Sequence, residues 1–334
     1  MSAMVFDNLA AGCMLAVDDH KTGQPWATLI NMESAPGGSI QVRPAQSETP
    51  LAEPTDGSLL GEEVIALIPV QRQGACMARL IATATRLFYW EPEAVTKNLR
   101  LLFTFDNPVK TLDFCTFLNR TYIATGTNYL LEWDGFNAPH YCSEKYWDGY
   151  RKPHTCCTWN GLLVLGAFRD EAGAAPQSEL ANTGAEDASE LIDAPLDVAS
   201  KDTEVIQGVA ATAWGLLVGK DHSCYAVTGT NFSLINSDIS VRLHTPLAGF
   251  VGPRAWVTGP NTEIYFLDPR GVFMASTPMD ASLEISFAIA PIFGYSLSHS
   301  AVPYPKAGPD LSTASMAIDP IYNQLKVTFP GVSP

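Results

Sequence analysis

The sequence predicts an all-β fold, a β-propeller of about five to six blades built from short antiparallel strands, with residues 1–334 forming a single domain. Three observations point there. A hairpin of two short apolar strands around an Asn- or Gly-bearing turn recurs along the chain. Copies follow one another at roughly 40 to 60 residues, near the period of a four-stranded blade. Helical periodicity is nearly absent, while 25 Gly and 24 Pro punctuate the chain with turns.

The first unit is the least regular, with apolar runs at Val64 to Val70, Met77 to Thr83 and Arg86 to Trp90. The second joins Asp113 to Phe117 with Thr121 to Thr125 through a turn at Asn119, and continues into Tyr129 to Trp133. In the third, Thr155 to Thr158 turns at Asn160-Gly161 into Leu162 to Gly166. Asn and Gly suit such turns because both tolerate the positive φ that two-residue hairpins demand. A fourth unit runs Val209 to Thr212, turns at Trp214-Gly215, and continues as Leu216 to Gly219 and Cys224 to Thr228. A fifth spans Trp256 to Thr258, Glu263 to Leu267 and Val272 to Ser276, with its first turn at Pro260-Asn261. The last is a hairpin of Met316 to Asp319 and Gln324 to Phe329 around Asn323. Its two strands suggest ring closure, with N-terminal segments such as Thr28 to Met32 or Ser39 to Arg43 completing a blade. One hairpin has too little face to fold alone, so neighbours must stack to bury it.

Two stretches interrupt the pattern. Residues 46–62 are rich in Pro, Ser, Glu and Gly and read as a loop. Residues 170–204 form an acidic, Ala-rich insertion in which Lys201 is the only basic residue. Within it, Ser189 to Leu196 suits a short helix or a strand-like arm. The acids Asp170, Glu171, Glu179, Glu186, Asp187 and Glu190 are candidates to line a channel or a subunit interface.

The net charge of −15 and the lack of a Lys/Arg run argue against a nucleic-acid grip, which needs clustered cations. Acidity does suit a surface that nucleic acid must slide past. Seven scattered Cys, mostly in apolar runs, read as buried thiols made in a reducing compartment. The N-terminus lacks a signal-peptide pattern, and no apolar run is long enough for a helical membrane span.

Enzyme signatures are absent from the sequence. In His154-Thr155-Cys156-Cys157 the adjacent thiols point to opposite faces of a strand, and no C-x-x-C completes a zinc set. His20, His140, His222, His244 and His299 stand outside any metal or acid–base spacing. No nucleophile elbow, P-loop or dinucleotide fingerprint occurs. Neither catalytic, cofactor-binding nor metal residues are assigned, and no cofactor is expected. Asp113, Asp134, Asp268 and Asp319 fall where carboxylates cap turns. Trp133-Asp134-Gly135 and Trp147-Asp148-Gly149 read as strand-ending turns, without the Gly-His partner of W-D repeats. The contrasting possibility is a monomeric propeller that binds or cleaves an acidic glycan, with Arg79, Arg86, Arg100, Arg242, Arg254 and Arg270 available to clamp a carboxylate.

Several short segments carry a resemblance. They are Asn8 to Cys13, Ala27 to Met32, Gly38 to Pro44, Thr121 to Gly126 leading to Glu132 to Gly135, Thr203 to Gly219, and Phe266 to Phe273. In these the chain resembles the nozzle proteins of short-tailed bacteriophages, also described as tail tubular B-type or packaged-DNA-stabilising proteins. The resemblance implies a non-enzymatic virion protein assembled in the host cytoplasm. It implies a ring, usually a homo-hexamer, below the portal and the adaptor (head-to-tail connector). That ring would meet a tail fibre or spike and a plug or needle protein. Genomic DNA would pass through it without sequence-specific binding, serving genome retention and ejection.

Overall fold

The computed structural model describes residues 2–6, 32–34, 40–42, 64–70, 78–90, 99–142, 152–169, 177–184, 187–191, 195–229, 238–285, 311–319 and 324–329. They form a β-propeller of six antiparallel sheets in chain order, with one separate hairpin of Met32–Ser34 and Ile40–Val42. Sheet I comprises Val64–Val70, Ala78–Thr83, Arg86–Trp90 and Arg100–Thr104. Sheet II comprises Asp113–Phe117, Arg120–Ala124, Leu131–Trp133 and His140–Tyr141. Sheet III comprises Thr155–Trp159, Leu162–Gly166, Glu179–Gly184 and Asp187–Leu191, with Leu196–Asp197 also paired to the third strand. Sheet IV comprises Ile206–Thr212, Gly215–Lys220, Cys224–Thr228 and Ser240–Thr245. Sheet V comprises Trp256–Thr258, Ile264–Asp268, Gly271–Ala275 and Leu283–Glu284. Sheet VI pairs Ser315–Asp319 with Gln324–Phe329, and the latter with Ser2–Phe6.

Sheets I to V fold from local pairing. At Asn160 (φ 49) and Gly161 (φ 72) both turn residues are left-handed, the geometry that matches the twist of the flanking strands. Leu118 (φ 49) and Asn119 (φ 60) make the same kind of turn in sheet II. The six sheets then bury each other. First strands of sheets II to VI lie side by side in order and so surround the axis. Between successive sheets lies an apolar core. Ile68 and Leu80 of sheet I meet Ile123 and Trp133 of sheet II. Tyr122 meets Leu163 and Leu165 across sheets II and III, and Val164 meets Val209 and Val218 across III and IV. Leu217 meets Phe266 across IV and V, while Leu267 and Val272 meet Met316 and Val327 across V and VI. A sixth cluster of Ile81, Phe88 and Leu99 covers the other face of sheet I. Two-sided burial is why the inner strands read as unbroken apolar runs.

Two expectations need correction. The strand that closes the ring is Ser2–Phe6, whose residues pair with Gln324–Phe329 from Ser2 opposite Phe329 to Phe6 opposite Leu325. The segments around Thr28 to Met32 and Ser39 to Arg43 do not join sheet VI where they are described; Met32–Ser34 pairs with Ile40–Val42 instead. The stretch 170–204 is not a simple insertion either. Glu179–Gly184 is the third strand of sheet III, with Leu180, Ala181, Asn182 and Thr183 all buried. Of Ser189 to Leu196, the described part is strand rather than helix. Residues 46–62 and 147–149 lie outside the described residues.

Candidate functional site

One buried polar cluster sits on the first strands of sheets II and III, which line the axis. Asp113 opens the first strand of sheet II and is fully buried. Its Oδ2 accepts from Thr155 Oγ1 at 2.6 Å and from the Cys156 amide at 3.1 Å, both on sheet III. Its Oδ1 accepts from the Phe114 amide at 2.9 Å and from Arg254 Nη1 at 3.4 Å. Arg254 lies on the connection into sheet V, and its guanidinium stacks 4.0 Å from the Phe114 ring centre. The Arg254 carbonyl in turn accepts the Met316 amide of sheet VI at 3.1 Å. Sheets II, III and VI are therefore linked to the connection into sheet V through the Asp113, Thr155 and Arg254 side chains and one backbone bond. Burial pushes the Asp113 carboxyl above its usual range, while Arg254, Thr155 and two backbone amides pull it partly back.

Beside it, His154 is buried with Nδ1 lacking a hydrogen-bond partner. Burial, then the Arg169 charge, lowers its pKa to about 4, so the ring is neutral. Cys156 and Cys157 turn to opposite neighbours as their alternation requires, Cys156 into the core with sheet II and Cys157 into that with sheet IV. Cys115, Cys142, Cys156, Cys157 and Cys224 are all free thiols. Among the described residues, no group of three His, Cys, Asp or Glu is arranged to hold a metal ion.

A second cluster anchors the acidic connection into sheet IV. Lys220 is completely buried, and its Nζ donates to Asp202 Oδ1 at 2.7 Å, Oδ2 at 2.9 Å and the Ala199 carbonyl at 3.1 Å. Tyr225 OH also donates to Asp202, at 2.9 Å. Burial works against ionising Asp202, yet the hydrogen bonds from Lys220, the Glu204 amide and Tyr225 hold its carboxyl below the usual range. The Tyr225 hydroxyl is pushed up to about 12, by burial and then by Asp202. Glu204 takes Ser223 Oγ at 2.6 Å, and Asp221 takes Gln207 Nε2 at 2.6 Å. The connection is backbone-strained, with Ala199 (φ 52) and Thr203 (φ 63) both left-handed.

The predicted acids are placed as follows. Glu179 is half-buried on the third strand of sheet III. Asp187 and Glu190 share the neighbouring strand Asp187–Leu191. Asp170, Glu171 and Glu186 lie outside the described residues. Other acids with specific contacts include Asp113, Asp202 and Asp268. Asp268 receives the Gly249 amide at 3.0 Å and Arg270 Nε at 2.8 Å. Their signal in the sequence was position: Asp113 opens a first strand, Asp268 closes a second strand, and Asp202 precedes the next blade.

The other singled-out residues are placed by the following contacts. Asp134 caps its turn, accepting the Phe136 and Asn137 amides at 2.9 and 2.8 Å, and Trp133 Nε1 donates to the Asn137 carbonyl. Arg254 and Arg270 pair with Asp113 and Asp268, at 3.4 and 2.8 Å. Arg79, Arg86 and Arg100 belong to sheet I and Arg242 to sheet IV. His244 is buried and stacks on Trp214, its Nε2 facing the Thr277 carbonyl at 2.9 Å.

No family model matches the chain, and no curated protein matches it. Solved structures do. BBS1N in complex with ARL6DN is 11% identical with a TM-score of 0.43, over 80% of this chain and 78% of that one. The N-terminal domain of Nup159 is 12% identical with a TM-score of 0.47, over 79% and 75%. The extracellular domain of BT4673 from B. thetaiotaomicron is 8% identical with a TM-score of 0.46, over 80% of this chain and 38% of that one. The propeller assignment rests on the sheet order and the inter-sheet cores.

Proposed function

We propose that the chain is a structural subunit of a short-tailed phage tail, the nozzle ring that continues the DNA channel below portal and adaptor. The observation that carries this is the axial cluster. Asp113, Thr155, Arg254 and the Met316 amide cross-tie sheets II, III, V and VI, which makes the propeller a braced body rather than an open tube. A braced body suits a load-bearing ring. Because Arg254 crosses the axis, a DNA channel would run between copies, in keeping with a homo-hexamer, and not through each propeller. The net charge of −15 would keep passing DNA from adhering, with Asp187 and Glu190 on sheet III as candidate channel or interface acids. The adaptor, a fibre or spike, and a plug protein are the partners this role implies.

The test is placement. A tagged chain supplied to infected cells, followed by label imaging on the virions, is expected to mark the tail below the adaptor. Label confined to free protein would overturn the proposal. The acids are tested without deleting sheet III, by combining Asp187→Asn with Glu190→Gln. Slowed genome delivery at normal assembly is expected if they face DNA, and loss of the ring if they face a neighbouring subunit. Unchanged assembly and delivery would remove both from the channel and the interface.

A further inference from the structure

Three thiols gather where sheets II and III meet the axis. The two first strands are fixed in register by Asp113 Oδ2 on the Cys156 amide at 3.1 Å and by Thr158 Oγ1 on the Thr116 carbonyl at 2.8 Å. That register sets Cys115 level with Cys157, one position along from Cys156. Alternation turns the Cys115 and Cys156 side chains into the same inter-sheet core, in which Cys156 is buried and Cys115 packs half-buried against it. Cys156 Sγ lies 3.8 Å from the carbonyl of Tyr122, the residue paired with Cys115 across sheet II. Burial, and then the neighbouring Cys115, push the Cys156 thiol well above its usual range. Cys157 points away, into the core with sheet IV.

We propose that Cys115 and Cys156 are a disulfide-forming pair, a modification site that takes a small disulfide such as oxidised glutathione as its oxidant and locks sheet II to sheet III. Cys115 is the attacking thiol because it is the more exposed of the two. Its thiolate attacks one sulfur of the oxidant, forming a mixed disulfide and releasing one glutathione, which carries off the Cys115 proton. Cys156 then attacks the Cys115 sulfur, and its proton leaves with the second glutathione thiolate. Two protein thiols are oxidised and one small disulfide is reduced to two thiols. The site stands on inter-sheet geometry and holds whether or not the chain serves in a tail.

The test treats the full chain with oxidised glutathione, blocks remaining thiols, and digests it with trypsin without reduction. The peptide 111–120 carries Cys115, and the peptide 152–169 carries Cys156 with Cys157. Mass spectrometry is expected to find these two peptides linked, with fragmentation placing the bond on Cys156 and Cys157 alkylated. Cys115→Ala should abolish the link, and the oxidised wild type should melt at a higher temperature than the reduced one. A stable glutathione adduct on Cys115 with Cys156 still alkylated would overturn the pair, as would a bond to Cys157. The peptide map and the melting shift both come from the wild type, so they decide the matter even where the variant fails to fold.

Discussion

At the scale of single residues, ionisable groups in this chain act as fasteners, and their burial gives them opposite pH signatures. His154 is depressed to about 4 in the fold against 6.5 when free. The unfolded chain therefore takes up its proton first, and stability falls as pH drops from 6.5 toward 4, by at most about 3 kcal/mol. Asp113 has the reverse sign. Its carboxyl is raised above 3.8, so its contribution is full below that value and is lost as pH rises through the raised pKa. Urea unfolding from pH 4 to 7 is expected to show a shallower acid loss in His154→Gln and a steeper one in Asp113→Asn. Identical slopes in all three proteins would contradict this assignment.

Lys220 belongs to the same scale. Its ammonium is wholly buried against a partly exposed Asp202. Lys220→Met is expected to cost about 3 kcal/mol, since it leaves that carboxylate and the Ala199 carbonyl without their donor. Lys220→Met combined with Asp202→Leu should recover part of the loss, because neither charge is then stranded. Equal losses in the single and double variants would show that the ion pair is not what anchors the connection.

At the scale of elements, the sequence was legible where strands are buried on both faces. Leu162–Gly166 and Cys224–Thr228 carry the apolar runs that two-sided burial requires, and Asn160-Gly161 names its own turn. Outer strands were invisible. Arg100–Thr104 and Ser240–Thr245 are largely exposed, so their sequences follow no burial pattern. Glu179–Gly184 was hidden for the opposite reason. It buries Asn182 and Thr183 through local hydrogen bonds, with Asn182 Nδ2 donating to the Thr183 carbonyl at 3.0 Å. An acidic, Ala-rich composition thus masked a core strand. The axial site was legible only in part, because Asp113 and Arg254 stand 141 positions apart and no local pattern joins them.

Two element-level outcomes follow from packing. Gly219 lies under the Phe250 ring, where an added Cβ would sit 2.0 Å from a ring carbon. Phe250 is itself buried, so Gly219→Ala is expected to cost about 1–3 kcal/mol in chemical unfolding. A neutral effect would mean that the ring can move aside. Removing residues 1–6 deletes the strand Ser2–Phe6 and leaves Gln324–Phe329 as a bare edge. A lower melting temperature and a stronger tendency to aggregate are expected. An unchanged melting curve would show that sheet VI does not depend on its N-terminal strand.

At the scale of the whole molecule, the described residues form six sheets that share five inter-sheet cores and a set of axial ties. The cores hold neighbours together, whereas Asp113 and Arg254 hold sheets that are not neighbours. Redundant bracing of this kind fits a part that must keep its shape under load, and strong acidity fits one that must not cling to DNA. The most direct test is the mass of the native assembly purified from infected cells, with the particles imaged alongside. A closed ring of this chain, or its incorporation at the phage tail, is the expected result. A monomer that joins no tail would contradict the proposed nozzle role.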